Sequence, residues 1–150
     1  MEYAIKNVNE LGELVKIILK QIIGRNIHII ALRGELGAGK TTFSQYLLAV
    51  LGAEGPYTSP TFVIMKEYDL LVADDQTELP FEKVYHFDCY RVGERDILEL
   101  GWEEIIANPK NLVLIEWPER ISAILPLERM EIDMEVLSPQ ERKLTIEILG

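Results

Sequence analysis

Apolar residues recur along this chain with a period of about two in some stretches and about 3.6 in others, which divides it into strands and helices. Residues 3–8 read as a short strand. Asn9 then caps a helix whose stripe of Leu11, Leu14, Val15, Ile18 and Ile22 faces a core, and Gly24 marks its end. The apolar run 27–32 reads as a buried strand, with His28 inside it as a packing residue. A second helix runs from residue 41 to near Gly52, and residues 53–61 break regular structure, with Pro60 biasing Ser59 toward an extended backbone. Residues 62–70 and 81–91 form a hairpin around a solvated acidic turn at 73–78. Short helices over 94–107 break at Gly101, an apolar strand occupies 112–116, and Pro118 opens a helix over 119–125. Alternation over 129–137 and 142–149, around the loop 138–141, predicts a C-terminal antiparallel hairpin.

The junction between the second strand and the second helix carries the strongest chemical signal. Gly34, Gly39, Lys40 and Thr41 fit the phosphate-loop pattern G-x-x-x-x-G-K-[ST], and the flanking strand and helix are the context that motif requires. Glycines let the backbone fold so that the N–H groups of Gly37, Ala38, Gly39, Lys40, Thr41 and Thr42 can converge on phosphate oxygens. Lys40 supplies a point charge toward the outer phosphates, the Thr41 hydroxyl is placed to ligate Mg²⁺, and the helix directs its positive end at the anion. The fold class predicted is therefore α/β of the P-loop NTPase kind: a central, mostly parallel sheet flanked by helices, with antiparallel hairpins added.

Composition narrows the setting. The 150 residues make one ordinary domain, and 48% apolar residues suffice for a core. Fifteen basic against twenty-five acidic residues leave a net charge of −10, which opposes unaided binding to a nucleic-acid backbone. One cysteine, Cys89, excludes an internal disulfide, no apolar run approaches the roughly 18 residues of a membrane span, and no signal segment is visible; a cytoplasmic protein is expected.

Three further stretches offer candidate residues. Thr61 either reaches back to Mg²⁺ or the terminal phosphate, as segments after the first helix do in several P-loop proteins, or caps a turn. Alternation over 81–91 sets Val84, His86, Asp88 and Tyr90 on one face and Tyr85, Phe87 and Cys89 on the other. If the first face meets the nucleotide, Asp88 can bind Mg²⁺ through water or orient the attacking water, and Arg91 can reach a phosphate or anchor a carboxylate; otherwise the cluster is a structural one at a sheet edge. The strand 112–116 ends in Glu116, where P-loop sites usually carry a metal-binding aspartate, so its longer carboxylate can touch Mg²⁺ or hold a metal-bound water. Trp117 is either a wall of the site or core.

Together GELGAGKTTF, SPTF followed by HFDCYR, and IEWPER resemble the TsaE family of bacterial P-loop ATPases, from the first helix to Arg120. The resemblance implies an ATP- and Mg²⁺-dependent ATPase needed for threonylcarbamoyl modification of adenosine 37 in tRNA. It would act on the TsaD and TsaB proteins without transferring the group itself, and would meet tRNA only through their complex. Family roles would fall on Lys40, Thr41, Thr61, Asp88, Glu116 and Trp117, with Lys40, Asp88 and Glu116 catalytic and Thr41 and Glu116 at the metal. Two other functions use the same loop: a small-molecule kinase, which usually needs an arginine-bearing lid that no insertion here supplies, and a nucleotide-dependent binding switch whose hydrolysis is a timer.

Overall fold

The computed structural model describes residues 1–57, 64–70 and 79–150. A seven-stranded sheet in the order β1-β7-β6-β2-β5-β4-β3 runs through them. Its strands are β1 (Glu2–Ile5), β2 (Ile29–Gly34), β3 (Met65–Asp69), β4 (Lys83–Asp88), β5 (Asn111–Glu116), β6 (Arg129–Val136) and β7 (Arg142–Leu149). The four central strands β6, β2, β5 and β4 are parallel, and both ends of the sheet are antiparallel additions. Every residue of β5 is buried, as a parallel strand covered on both faces must be. Helices α1 (Asn9–Gly24) and α2 (Lys40–Leu51) cover one face, where Ile18, Ile22, Phe43 and Leu47 meet Leu112 and Leu114. On the other face α3 (Glu94–Leu98), α4 (Trp102–Ala107) and a 3₁₀ segment (Pro118–Ile124) enclose Phe87, Val113 and Ile115, with Trp102 edge-on to Phe87 at 5.2 Å. Truncating any of these buried large side chains to alanine costs about 2–5 kcal/mol.

The sheet, both hairpins and the break at Gly101 (φ 84°) follow the sequence pattern, whereas several element ends do not. β1 stops at Ile5, because the chain turns through residues 6–8 into α1. Asn9 is the first helical residue rather than the cap; Val8 holds the cap position with no side-chain hydrogen bond to the helix, and Asn7 Oδ1 accepts the Asn9 N–H at 3.0 Å in the turn before it. Gly24 closes α1, but Asn26 (φ 56°) makes the left-handed turn, with Ile27 N–H on Ile22 O and Asn26 N–H on Ile23 O. His28 lies just ahead of β2 and hydrogen-bonds the Asn111 carbonyl through Nδ1 at 3.1 Å, a packing role. After Pro118 the chain winds as 3₁₀ rather than α, with Ile121 off helical geometry. The hairpin residues 62, 63 and 73–78, and the Ser59-Pro60-Thr61 segment, lie outside the described residues.

Candidate functional site

The loop between β2 and α2 sits at the carboxyl ends of the parallel strands, where open α/β sheets bind ligands. Its shape depends on glycine at both ends. Gly34 (φ 150°) is paired with Met134 of β6, and a Cβ there would stand 2.7 Å from the Met134 carbonyl oxygen. Gly39 (φ 110°) precedes the first residue of α2, with the Met134 methyl 3.2 Å from where its Cβ would be. β6 thus lies directly beneath the loop, and only residues without side chains let the backbone approach so closely.

Lys40 opens α2, 5% exposed, its ammonium folded onto the loop. It donates to the Gly34 carbonyl and, at 3.4 Å, to that of Glu35, and lies 3.7 Å from the centroid of the Trp117 ring. Burial pushes its ammonium below the ordinary lysine value, while the carboxylates of Glu116, Glu119 and Asp88 pull the other way. Trp117 therefore forms a wall of the site. It holds a left-handed backbone (φ 61°) between β5 and the 3₁₀ segment, donates its N–H to Leu32 O, and stacks on Tyr90 with ring centroids 4.8 Å apart. Such a backbone costs a non-glycine residue about 1–3 kcal/mol and persists where surrounding contacts enforce it.

Register brings the carboxylates together. Asp88 at the end of β4 pairs with Glu116 at the end of β5, so both side chains leave the sheet on the α2 face. Glu116 is 3% exposed and held at both oxygens: Oε1 accepts the Thr41 hydroxyl at 3.3 Å, and Oε2 lies 2.5 Å from His86 Nε2. A carboxylate can only accept, so Nε2 carries the proton of that bond. His86 Nδ1 is buried without a partner. Sequence alternation grouped His86 with Asp88; the fold gives its hydrogen bond to Glu116 instead, because β4 and β5 run parallel in a register no local pattern encodes. Asp88 is half-buried, its Oδ1 accepting the Tyr90 N–H at 3.0 Å. Cys89 faces away from this cluster into the second core, and its thiol is pushed up to about 12, by burial first and then by Asp88, Glu119 and Glu116, so it stays protonated and inert.

Two cavities flank the loop. One of about 430 Å³ is lined by Lys40, Thr41, Asp88, Arg91, Glu116 and Trp117, with the loop glycines 37 and 39. The other, about 470 Å³, lies across the loop between Asn7, Val8 and Asn9 at the head of α1 and Met134, Pro139, Gln140 and Arg142 of the C-terminal hairpin. Both are of small-ligand size. Gly37, Ala38, Gly39 and Thr42 line both. Gln140 and Arg142 escaped the sequence reading, since a lone polar residue at a hairpin turn carries no motif.

Among the described residues no group of three or more His, Cys, Asp and Glu could hold a metal by itself. Thr41 Oγ1 and Glu116, with Asp88 across the register, are oxygen groups that could contribute to the shell of a hard cation such as Mg²⁺, which keeps several waters. No helix among the described residues is long and apolar enough to cross a membrane.

A parallel-centred sheet with a glycine loop leading from β2 into α2 defines a P-loop fold. Comparison with known proteins places the chain within that class. The family described as Threonylcarbamoyl adenosine biosynthesis protein TsaE matches residues 5–144. A tRNA threonylcarbamoyladenosine biosynthesis protein TsaE of Bacillus subtilis is 37% identical over 122 residues, 81% of this chain and 70% of the relative. One of Treponema pallidum is 30% identical over 129 residues, 83% and 87% of the two chains. The crystal structure of the Bacillus YdiB protein superimposes with a TM-score of 0.74 at 27% identity, covering 100% of this chain and 86% of that one. The chain belongs to the TsaE family, with a role in threonylcarbamoyladenosine biosynthesis.

Proposed function

We propose that this protein binds ATP with Mg²⁺ and hydrolyses it in support of threonylcarbamoyl modification of adenosine 37 in tRNA, acting on TsaD and TsaB rather than transferring the group. The observation that carries the reading is the Thr41–Glu116 hydrogen bond, which ties the phosphate loop to a buried carboxylate at the end of the neighbouring strand. Phosphates would lie against the N–H groups of Gly37 and of residues 39–42, beside Ala38, and the nucleoside would extend into the cavity between Asn7 and Gln140. Lys40 would leave the Gly34 carbonyl and the Trp117 face for the outer phosphates, exchanging two weak acceptors for full negative charge. A bound Mg²⁺ would supply charge neutralisation at the phosphates. Glu116, oriented by His86, would receive it beside the Thr41 hydroxyl. Asp88, which lines the other cavity beside Lys40 and Glu116, would orient water. Thr61 is proposed as a contact of the terminal phosphate from the segment after α2.

Phosphate release from ATP with no acceptor present tests the activity. Free phosphate appearing in step with ADP is expected from the parent and not from Lys40→Ala. ADP formed only when a small-molecule acceptor is added would assign the site to a kinase.

A further inference from the structure

Arg142, the first residue of β7, spends its entire guanidinium on main-chain carbonyls. Nε donates to Ala38 O at 3.1 Å and Nη2 to Gly37 O at 3.3 Å; Nη1 donates to Ser138 O and Glu141 O at 2.9 Å each and to Pro139 O at 3.3 Å. Among the described residues no carboxylate lies within ion-pair distance of it, so its charge is balanced only by these dipoles. One rigid fork therefore clamps two segments more than a hundred residues apart in sequence: the phosphate loop and the turn of the C-terminal hairpin.

We propose that Arg142 is a positioning residue for phosphate binding, holding the Gly37 and Ala38 carbonyls outward so that the loop presents donors rather than acceptors to the phosphates. The inference rests on the nucleotide-binding reading above. In a planar trans peptide the C=O and N–H point to opposite edges. Fixing the Ala38 carbonyl on Arg142 therefore turns the Gly39 N–H the other way, and rotation of that peptide would put a carbonyl oxygen where an anion must sit. Loop glycines make such a rotation easy: Gly37 (φ 82°) and Gly39 (φ 110°) both have backbones that flip at little cost. The Ala38 N–H is already engaged, on Glu35 O at 3.0 Å, so the peptide joining Gly37 to Ala38 is held from both edges and the next one from its carbonyl edge. Lysine cannot substitute, because a single ammonium lacks the planar array of donors that reaches both segments together.

The test is Arg142→Lys and Arg142→Gln, each compared with the parent by calorimetric titration with ADP and by amide hydrogen exchange of the unliganded protein. ADP affinity should fall about tenfold or more in both variants, with KM for ATP affected several times more than kcat. Exchange at residues 37–41 should quicken about tenfold while the centres of β2 and α2 stay protected. Arg142→Lys keeps the charge and the aliphatic stem, so it decides the matter if the glutamine variant melts. ADP binding within about twofold of the parent would overturn the proposal. So would weaker binding with unchanged exchange at 37–41, which would make Arg142 a direct ligand contact. A parent that binds no ADP would end the nucleotide-binding reading and this inference with it.

Discussion

Lys40→Ala lowers ATP affinity by about 100-fold and leaves the unliganded protein folded. The size follows from what the ammonium would gain: hydrogen bonds to charged groups contribute about 1.5–3 kcal/mol each, and two of them at the outer phosphates, taken at the lower end of that range, correspond to roughly two orders of magnitude in binding. In the unliganded protein the same ammonium is bonded to the Gly34 and Glu35 carbonyls and lies on the Trp117 face, and burial outweighs the pull of the Glu116, Glu119 and Asp88 carboxylates on its charge. Removing it therefore relieves an unfavourable charge while leaving the packing of Phe43, Leu47 and Leu48 behind the loop in place. Calorimetry with Mg·ATP, with thermal melting of both proteins, measures the two halves separately. Equal ATP affinity in parent and variant would remove Lys40 from the phosphates.

Glu116 and Asp88 should act on turnover more than on affinity. Groups arranged around metal and water stabilise the transition state beyond the ground state, so alanine at either position should lower kcat by about 10²-fold while changing ATP affinity far less. Glu116→Ala carries a side effect the structure makes explicit. It strands His86 in the core with neither ring nitrogen bonded, at a stability cost of about 1–3 kcal/mol. Glu116→Gln separates the two: it keeps a partner for His86 and for the Thr41 hydroxyl and removes the negative charge. Its kcat should fall nearly as far as that of the alanine variant while its melting temperature stays nearer the parent's. Turnover within about twofold of the parent in a folded protein would assign Glu116 to structure; the same outcome for Asp88→Ala would reduce it to the turn that its Oδ1 makes with the Tyr90 N–H.

The sequence made the core of this account legible because its strongest signals are local. Gly34, Gly39, Lys40 and Thr41 sit within eight residues, and the period change from β2 to α2 frames them. The hydrophobic stripe of α1 and the apolar run Leu112, Val113, Leu114 and Ile115 of β5 are likewise readable from a window of a dozen residues. What escaped depends on register between distant strands. Pairing of β4 with β5 sets Asp88 beside Glu116 and brings His86 within reach of its carboxylate, a consequence of 30-residue separation that alternation alone cannot supply. Met134 beneath Gly34 and Arg142 against Ala38 lie about a hundred residues from the loop they support, in a hairpin whose own pattern shows only polar and apolar alternation. Helix ends were the other weak point. Asn9 has the residue type of a cap, but the turn through residues 6–8 puts it inside the helix and leaves the cap position to Val8, which carries no capping side chain.

The central claim is that this site hydrolyses ATP in the service of other proteins of the same modification pathway. Among the described residues no arginine beyond Arg91 lines the phosphate-side cavity, and P-loop enzymes lacking a committed arginine turn over slowly until a partner supplies or orders the missing group. A net charge of −10 makes free tRNA a poor candidate for that partner. The deciding measurement is steady-state phosphate release by the purified protein alone, with TsaD and TsaB, and with tRNA alone. The account predicts a rate far below about 10 s⁻¹, the enzyme median, that rises when both proteins are added and stays at baseline with tRNA. A rate near that median without partners, or equal stimulation by tRNA in their absence, would contradict it.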